Sequence, residues 1–184
     1  MAGDLIGGWQ LNGQFSHTSG FPFSVNANSN TIGGFTPGFG ATYAQLVSPY
    51  QQQSGHNRTF GNTAVSGGKP WFNPASFASP TESAAAPVLP NTGRDQFRGP
   101  GNSQFNTSLF KSFHIVREAE FQVRIEAFNL FNHPFLNNPN TTVPTAANIA
   151  AGNYGTFGLI TSFGQPSSQT AGARALQFGG RFNF

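Results

Sequence analysis

Four histidines are the first candidates for catalysis or metal binding in this sequence. His17, His56, His114 and His133 stand far apart along the chain, and no pair has the short spacing typical of zinc ligands. The chain contains no cysteine, which excludes a disulfide scaffold, a cysteine-based zinc site and a thiol nucleophile. We therefore expect isolated histidines in loops or at strand ends, with no bound metal and no cofactor.

Half of the six acidic residues are concentrated at Glu118, Glu120 and Glu126, and paired carboxylates can act as general acid and base. Glu120 and Glu126 share one side of a predicted strand with Arg124, however, so ion pairing explains them better. No serine has a partner His/Asp arrangement. The glycine-rich residues 33–40 lack the lysine and the strand-to-helix context of a phosphate loop. The sequence thus predicts no catalytic residue and no enzyme.

The composition is unusual for a water-soluble enzyme. Charged residues make up 8% of the 184 residues, against roughly 25% in ordinary soluble domains. Aromatic residues reach 14%, and 21 of them are phenylalanine. The net charge of +3 comes from nine basic residues spread along the chain, unlike the clustered cations of a nucleic-acid-binding face. These features favour a β-protein with one apolar and one uncharged polar face, and no nucleic-acid partner.

Four segments alternate apolar and polar residues with a period of two, the pattern of one-sided β-strands. The predicted strands are about 5–17, 103–113, 120–131 and 174–184. The long connections about 20–101 and 132–173 are rich in turn-forming residues. We expect each to be either disordered or a large surface loop carried by a rigid scaffold. Residues 157–161 could form a short hairpin arm.

The lengths of the connections predict an antiparallel transmembrane β-barrel segment. Such barrels have strands of ~9–11 residues, short periplasmic turns and long extracellular loops. If the short turn from Phe113 to Glu120 is periplasmic, the C-terminus is periplasmic as well. The long loops then form an extracellular mouth, and Arg124 and Glu126 face the lumen. Lys111, on the lipid side near the rim, is expected to extend toward the headgroups.

The same strand directions predict aromatic residues at both membrane interfaces, where barrels carry aromatic girdles. The residues predicted at the periplasmic rim are Phe113, Phe121 and Phe184. Those predicted at the outer rim are Phe15, Phe105 and Phe131.

Four strands cannot close a barrel, since the smallest barrels have about eight. An open sheet edge in lipid would leave backbone groups without hydrogen bonds. We therefore expect the chain to be the C-terminal piece of a larger, here incomplete, barrel, or to assemble with other chains. The start at Met1–Asp4 shows no basic and then apolar segment typical of a signal peptide, which a missing N-terminal part would explain.

Several segments carry a resemblance that spans nearly the whole chain in order. They are Gly-Gly-Trp-Gln-Leu-Asn-Gly (7–13), Ser-Gly-Phe-Pro-Phe-Ser-Val (19–25), Trp-Phe-Asn-Pro-Ala-Ser-Phe (71–77), Arg-Gly-Pro-Gly (98–101), Ser-Leu-Phe-Lys-Ser-Phe (108–113), Glu-Ala-Phe-Asn-Leu-Phe-Asn-His-Pro (126–134) and Phe-Gly-Leu-Ile-Thr (157–161). Together they resemble the last part of TonB-dependent outer-membrane receptors of the Oar-like type. The closing residues 174–184 look like the C-terminal insertion signal of bacterial outer-membrane proteins.

This resemblance implies a barrel of about 22 strands with an N-terminal plug, in the bacterial outer membrane. Such a receptor imports a scarce ligand (a siderophore, carbohydrate or peptide) with energy from an inner-membrane TonB complex. The expected partners are outer-membrane lipid, the remainder of the barrel and plug, and the TonB complex through the N-terminal part. The barrel-assembly machinery is expected to bind the strand that ends at Phe184.

Two other functions remain open at this point. The chain could be a subunit of a multimeric outer-membrane pore or adhesin, with each copy giving four strands. It could also be a soluble β-sandwich binding module in which the apolar faces pack on each other. Trp71 and Phe72 could contact a ligand such as a sugar or peptide, although packing within the loop explains them equally well.

Overall fold

The computed structural model describes residues 7–28, 42–53, 69–80, 89–116, 119–162 and 173–184. The chain divides into two compact units. The sheet unit comprises Met1–Ser19, Gly101–Phe135 and Gly164–Phe184, and the loop unit comprises Gly20–Pro100 and Leu136–Phe163.

The regular structure in these ranges is almost entirely strand. In chain order the strands are β1 (Trp9–Thr18), β2 (Pro22–Phe23), β3 (Gln45–Leu46), β4 (Phe77–Ala78), β5 (Phe97–Arg98), β6 (Asn102–Val116), β7 (Ala119–Phe128) and β8 (Ala175–Asn183). A 3-10 turn at Pro74–Ser76 and the short helix α1, Ala146–Ala150, are the helical elements of the described residues. In those residues, no helix is long and apolar enough to cross a membrane. The predicted all-β, antiparallel fold class is confirmed.

The sheet unit is one antiparallel sheet with the strand order β1-β6-β7-β8. Its register aligns Leu11 with Leu109, Leu109 with Ile125, and Ile125 with Phe178. The pairings preserve the two-residue period up to His114, after which the β6–β7 register shifts before Val116, so side chains of one kind collect on one face. Among the described residues, β1 and β8 each have a paired strand on one side only, and the barrel is therefore not closed.

The end of β7 is set by a turn. The strand predicted to reach residue 131 ends at Phe128 in the structure. Asn129 has a φ of 50°, a left-handed conformation that asparagine tolerates better than most residues. Its side-chain oxygen accepts a hydrogen bond from the His133 N–H, and its amide donates to the His133 carbonyl. These hydrogen bonds hold the turn that follows Phe128, while the Leu130 N–H still donates to the Phe105 carbonyl at 2.8 Å.

The loop unit has its own hydrophobic core, which the sequence pattern does not predict. β2 pairs with β5 and β3 with β4, and the two long connections are joined by backbone hydrogen bonds such as Trp71 N–H to Gly158 O at 2.7 Å. The core residues are Phe23, Val25, Ala44, Trp71, Phe72, Phe77, Phe97, Leu136, Val143, Phe157 and Ile160. The predicted hairpin arm at 157–161 is wrong, because this stretch forms turns, with Gly158 at a φ of 78°.

The backbone at Gly20 packs so closely that we expect Gly20→Ala to destabilise the loop unit. A Cβ at Gly20 would overlap the carbonyl of Gly99 and lie 3.1 Å from the carbonyl carbon of Pro100. Backbone atoms cannot rotate away, so the cost should reach or exceed the ~1–3 kcal/mol typical of overpacking. Urea unfolding followed by Trp71 fluorescence in a Trp9→Phe background measures it. Gly93→Ala is the control, since an added Cβ there has no atom within 4 Å; equal effects of the two variants would contradict the prediction.

Candidate functional site

The four long strands sort their side chains into an apolar face and a polar face. The apolar-face residues include Trp9, Leu11, Phe15, Phe105, Leu109, Phe113, Phe121, Val123, Ile125, Leu176, Phe178 and Phe182. Many of them are open to the surroundings, and Leu11 and Phe178 are each 72% exposed. Soluble monomers rarely leave so continuous an apolar surface uncovered. The face is therefore built to contact an apolar medium or partner.

Aromatic side chains gather at the end of the sheet predicted to be the outer rim. Phe15 stands opposite Phe105 in the register, and the Phe105 and Phe131 rings have centroids 5.6 Å apart. On the same face, one pair further along, the His17 Nδ1 and the Ser103 Oγ share a hydrogen bond of 2.8 Å. This end of the sheet thus combines aromatic side chains with polar groups, as expected where an apolar medium meets water.

The opposite end carries a second aromatic group. Phe113 stands opposite Phe121, and Phe121 stands opposite Phe182. The ring centroids of Phe182 and Phe184 are 6.1 Å apart. The sequence-derived strand directions assign this end to the periplasm, and the structure brings the residues predicted for it to the same end of the sheet.

Lys111 is the one cation within the apolar face of the described strands, and aromatic rings cover its charge. The residue is 1% exposed. Its Nζ lies 4.7 Å from the centre of the Trp9 ring and 5.1 Å from that of Phe113, and it donates a hydrogen bond to the Gly7 carbonyl at 3.1 Å. Aromatic faces attract cations. The rings thus cover the charge within the sheet surface, and the Nζ reaches past Trp9 toward Gly7, which precedes β1.

The polar face is rich in amides and hydroxyls. Its uncharged members include Gln10, Asn12, Gln14, Ser16, Gln104, Asn106, Ser108, Ser112, Gln122, Gln177 and Asn183. Arg124 forms a salt bridge with Glu126, as the sequence predicted. The Arg124 guanidinium also lies 5.0 Å from the Phe110 ring centre, which explains a phenylalanine on this face. Glu120 stands opposite His114 in the register.

The polar face of the described strands includes two concavities. The first, of about 220 Å³, is lined by Asn12, Gly13, Gln14, Asn106, Thr107, Ser108, Glu126 and Phe128. The second, of about 270 Å³, is lined by Gln122, Arg124, Glu126, Gln177, Gly179, Gly180 and Arg181. Sequence reasoning missed the first one because it needs three strands side by side. Phe128, an aromatic residue in phase with polar Glu126, is the signal that could have indicated it.

The other sequence candidates for chemistry are scattered. His17 is in β1, His114 in β6 and His133 in the turn after β7. His56, Glu118 and the glycine-rich residues 33–40 lie outside the described residues. Within the described ranges no three His, Asp or Glu side chains come together as metal ligands would.

Trp71 and Phe72, considered as ligand contacts, lie in the core of the loop unit. Phe72 is fully buried, and Trp71 is 6% exposed. The Trp71 Nε1 donates a hydrogen bond to the Arg98 carbonyl at 2.9 Å. The Phe72 ring stacks edge-on against Phe77 and Phe157, with centroids 5.1 and 5.2 Å away. Packing within the loop unit, the alternative left open by the sequence, therefore accounts for both residues.

Tyr50 lies half-buried against this core, and burial raises its pKa, an effect that the side chain of Trp71 partly offsets. In the unfolded chain the Tyr50 hydroxyl ionises near pH 10, before it does in the folded chain. Tyr50 therefore contributes stability that is present below about pH 10 and lost as pH rises through its pKa in the folded state. We expect the unfolding free energy of the natural chain to fall more steeply than that of Tyr50→Phe between about pH 9 and 11. Parallel urea titrations measure both, and equal slopes would refute the prediction.

An antiparallel sheet with one apolar face, a polar opposite face, aromatic ends and open edges defines a segment of a transmembrane β-barrel. The chain belongs to the outer membrane beta barrel domain family, whose profile matches residues 1–177. This family membership locates the protein in the bacterial outer membrane. Searches of curated proteins and of solved structures find no match.

Proposed function

We propose that this chain is the last part of a TonB-dependent outer-membrane receptor that takes up a scarce ligand such as a siderophore, carbohydrate or peptide. One observation carries the proposal: four long strands form a one-sided sheet with a short connection at one end and long connections at the other. β6 and β7 pair as far as Val116 and Ala119, whereas β1–β6 and β7–β8 are joined by long segments. The resemblance to Oar-like receptors supports the finer assignment.

In this proposal the apolar face contacts outer-membrane lipid. The edges of β1 and β8 pair with the remainder of the barrel, because in lipid every backbone N–H and C=O needs a partner within the protein. The missing N-terminal part supplies the plug and the segment that contacts the TonB complex. The barrel-assembly machinery binds the last strand, which ends at Phe184. The chain contributes barrel wall and extracellular surface, with no catalytic role.

The topology is tested with the complete gene in its own cells. An epitope inserted after Ala151, an exposed residue that follows α1, should be labelled by antibody on intact cells. The matched control is the same epitope between residues 117 and 118, which should be labelled only after the outer membrane is permeabilised. Labelling of both sites, or only of the second, on intact cells would refute this orientation.

The receptor assignment needs a separate test, since a barrel with this topology need not be energised. Formaldehyde cross-linking in cells should connect the complete protein to TonB, and the cross-link should disappear when the protein's N-terminal segment is deleted. If the barrel has the expected orientation but never cross-links to TonB, the assignment as a transmembrane barrel segment stands and the assignment as a TonB-dependent receptor is excluded.

The open edges also favour a second candidate, a multimeric pore in which several copies close one barrel. Immunoblotting of outer membranes distinguishes the two, because a pore subunit would migrate as an oligomer of a 19.6 kDa chain. A receptor would instead migrate as one much longer polypeptide.

A further inference from the structure

We propose that the 220 Å³ concavity on the polar face is a subsite for one ring of an uncharged carbohydrate. The inference rests on the proposed function, since it names the class of ligand that passes this wall of the barrel. Three independent features of the concavity support it: the hydrogen-bonding groups, an aromatic ring and the balance of charge.

The hydrogen-bonding groups match a ligand with many hydroxyls. Asn12, Gln14, Asn106 and Ser108 line the concavity, and amide and hydroxyl side chains both donate and accept hydrogen bonds, as sugar hydroxyls do. The side chains of Asn12, Gln14 and Ser108 make no hydrogen bond to another residue in the described part of the chain. They are therefore available to a ligand at no cost in broken internal bonds.

One of these groups is already held in place. The Asn106 side-chain oxygen accepts a hydrogen bond from the Asn129 N–H at 2.9 Å, which fixes the amide plane and commits the other end of the amide to donating. Asn129 is itself fixed by its two hydrogen bonds with His133. A donor held in this way loses little conformational freedom on binding, which favours affinity.

Phe128 supplies the apolar part of the site. Two phenylalanines break the polar pattern of this face, Phe110 and Phe128, and Arg124 lies over the ring of Phe110. Phe128 instead lines the concavity beside Glu126. The face of an aromatic ring carries partial negative charge and so attracts the polarised C–H groups on one side of a sugar ring. Amide side chains around the one phenylalanine ring therefore match a sugar, which has both hydroxyl groups and an apolar side.

The charge balance selects an uncharged ligand. Glu126 is the one charged residue that lines the concavity, and its carboxylate is paired with Arg124, whose side chain lies outside this lining. An anionic ligand would meet this carboxylate, and a cationic ligand would have to compete with Arg124 for it. A neutral hydroxyl can donate to the second carboxylate oxygen without disturbing the pair.

The size limits the ligand to one ring at this point. Pockets for drug-sized ligands are about 300–1,000 Å³, and the concavity is smaller at about 220 Å³. Its open side permits the rest of an oligosaccharide to continue along the wall. A polar segment of the missing N-terminal part is the rival occupant, and it would also use amides and hydroxyls.

The test uses the complete protein purified from outer membranes into lauryldimethylamine oxide micelles, since sugar-based detergents would compete. The probes are methyl α-D-glucopyranoside, methyl β-D-galactopyranoside and N-acetylglucosamine, with citrate as the charged comparison. Saturation-transfer difference NMR measures binding, which should be saturable in the millimolar range for at least one glycoside and absent for citrate. Asn12→Ala and Phe128→Leu should each weaken it tenfold or more. Gln10→Ala is the matched control, because Gln10 lies on the same face of β1 but outside the concavity.

Three results would overturn the subsite: no glycoside binds a folded chain, citrate binds as well as the glycosides, or Gln10→Ala weakens binding as much as Asn12→Ala. Circular dichroism verifies β-structure in every variant, so that loss of binding is not mistaken for loss of fold. A chain that inserts and folds but binds no sugar refutes the subsite and leaves the proposed receptor intact. Sugar binding without a TonB cross-link retains the subsite and excludes the receptor.

Discussion

Phe178→Arg is expected to reduce insertion of the complete protein into lipid vesicles strongly, whereas Gln177→Arg is expected to leave it nearly unchanged. Phe178 lies on the apolar face in the cross-strand row that also contains Leu11, Leu109 and Ile125. This row is near the middle of the strands, where an arginine facing lipid costs ~2–4 kcal/mol. Gln177 precedes it on the same strand and lines the second concavity of the polar face.

Phe178 and Gln177 are a matched pair, because both variants add the same charge to β8 at adjacent positions along the strand. The fraction of chain that co-floats with vesicles, and its urea dependence, give the free-energy difference. For Gln177→Arg we expect a change within about 0.5 kcal/mol, as for most exposed polar sites. If the apolar face met water or another soluble surface, Phe178→Arg would raise solubility without loss of folding, and the membrane interpretation would be wrong.

The strands of the sheet could be predicted because their signal is local. In β7, Phe121, Val123 and Ile125 occupy every second position, and the neighbouring strands preserve this phase. The Arg124–Glu126 pair was predictable for the same reason, since two residues with a period of two must share a face. The end of β7 was not, because the sequence does not show that Asn129 adopts the left-handed conformation that follows the last strand residue, Phe128.

The environment of Lys111 depends on pairing between distant segments. The sequence places this lysine on the apolar face, but only the register of β1 against β6 reveals that Trp9 is directly opposite. With Phe113 two residues along the same strand, the charge acquires two aromatic neighbours. A period of two assigns a residue to a face, but it does not identify the neighbour across the strand.

The first concavity and the loop unit could not be predicted either, because both are formed by segments that are distant in the sequence. Asn12, Asn106 and Phe128 come from three strands, so no single stretch of sequence shows them as a group. In the loop unit, Asn26 bridges to Tyr43 and to Thr142, and the strands are two residues long. Such short strands carry no periodicity, and the phenylalanines between prolines and glycines indicate burial without indicating what they contact.

Phe72→Ala is expected to unfold the loop unit, or to bring it close to unfolding, while the strands of the sheet remain formed. Phe72 is fully buried, and its ring contacts Phe23, Tyr50, Phe77 and Phe157. Removing a buried phenylalanine ring costs about 3–5 kcal/mol through lost burial and the cavity that remains. This is a large fraction of the ~5–15 kcal/mol that stabilises a whole domain.

The two tryptophans allow this effect to be measured in each unit separately, because Trp9 is in the sheet unit and Trp71 in the loop unit. In a Trp9→Phe background, Trp71 fluorescence reports the loop unit alone, and its urea midpoint should fall sharply in Phe72→Ala. Phe21→Ala is the control, since Phe21 belongs to the same unit but is 55% exposed and should cost far less. If both variants shifted the midpoint equally, the aromatic core would not be what holds the two long connections together. If β-structure in the vesicle-bound chain were lost with the Trp71 signal, the sheet would depend on a folded loop unit.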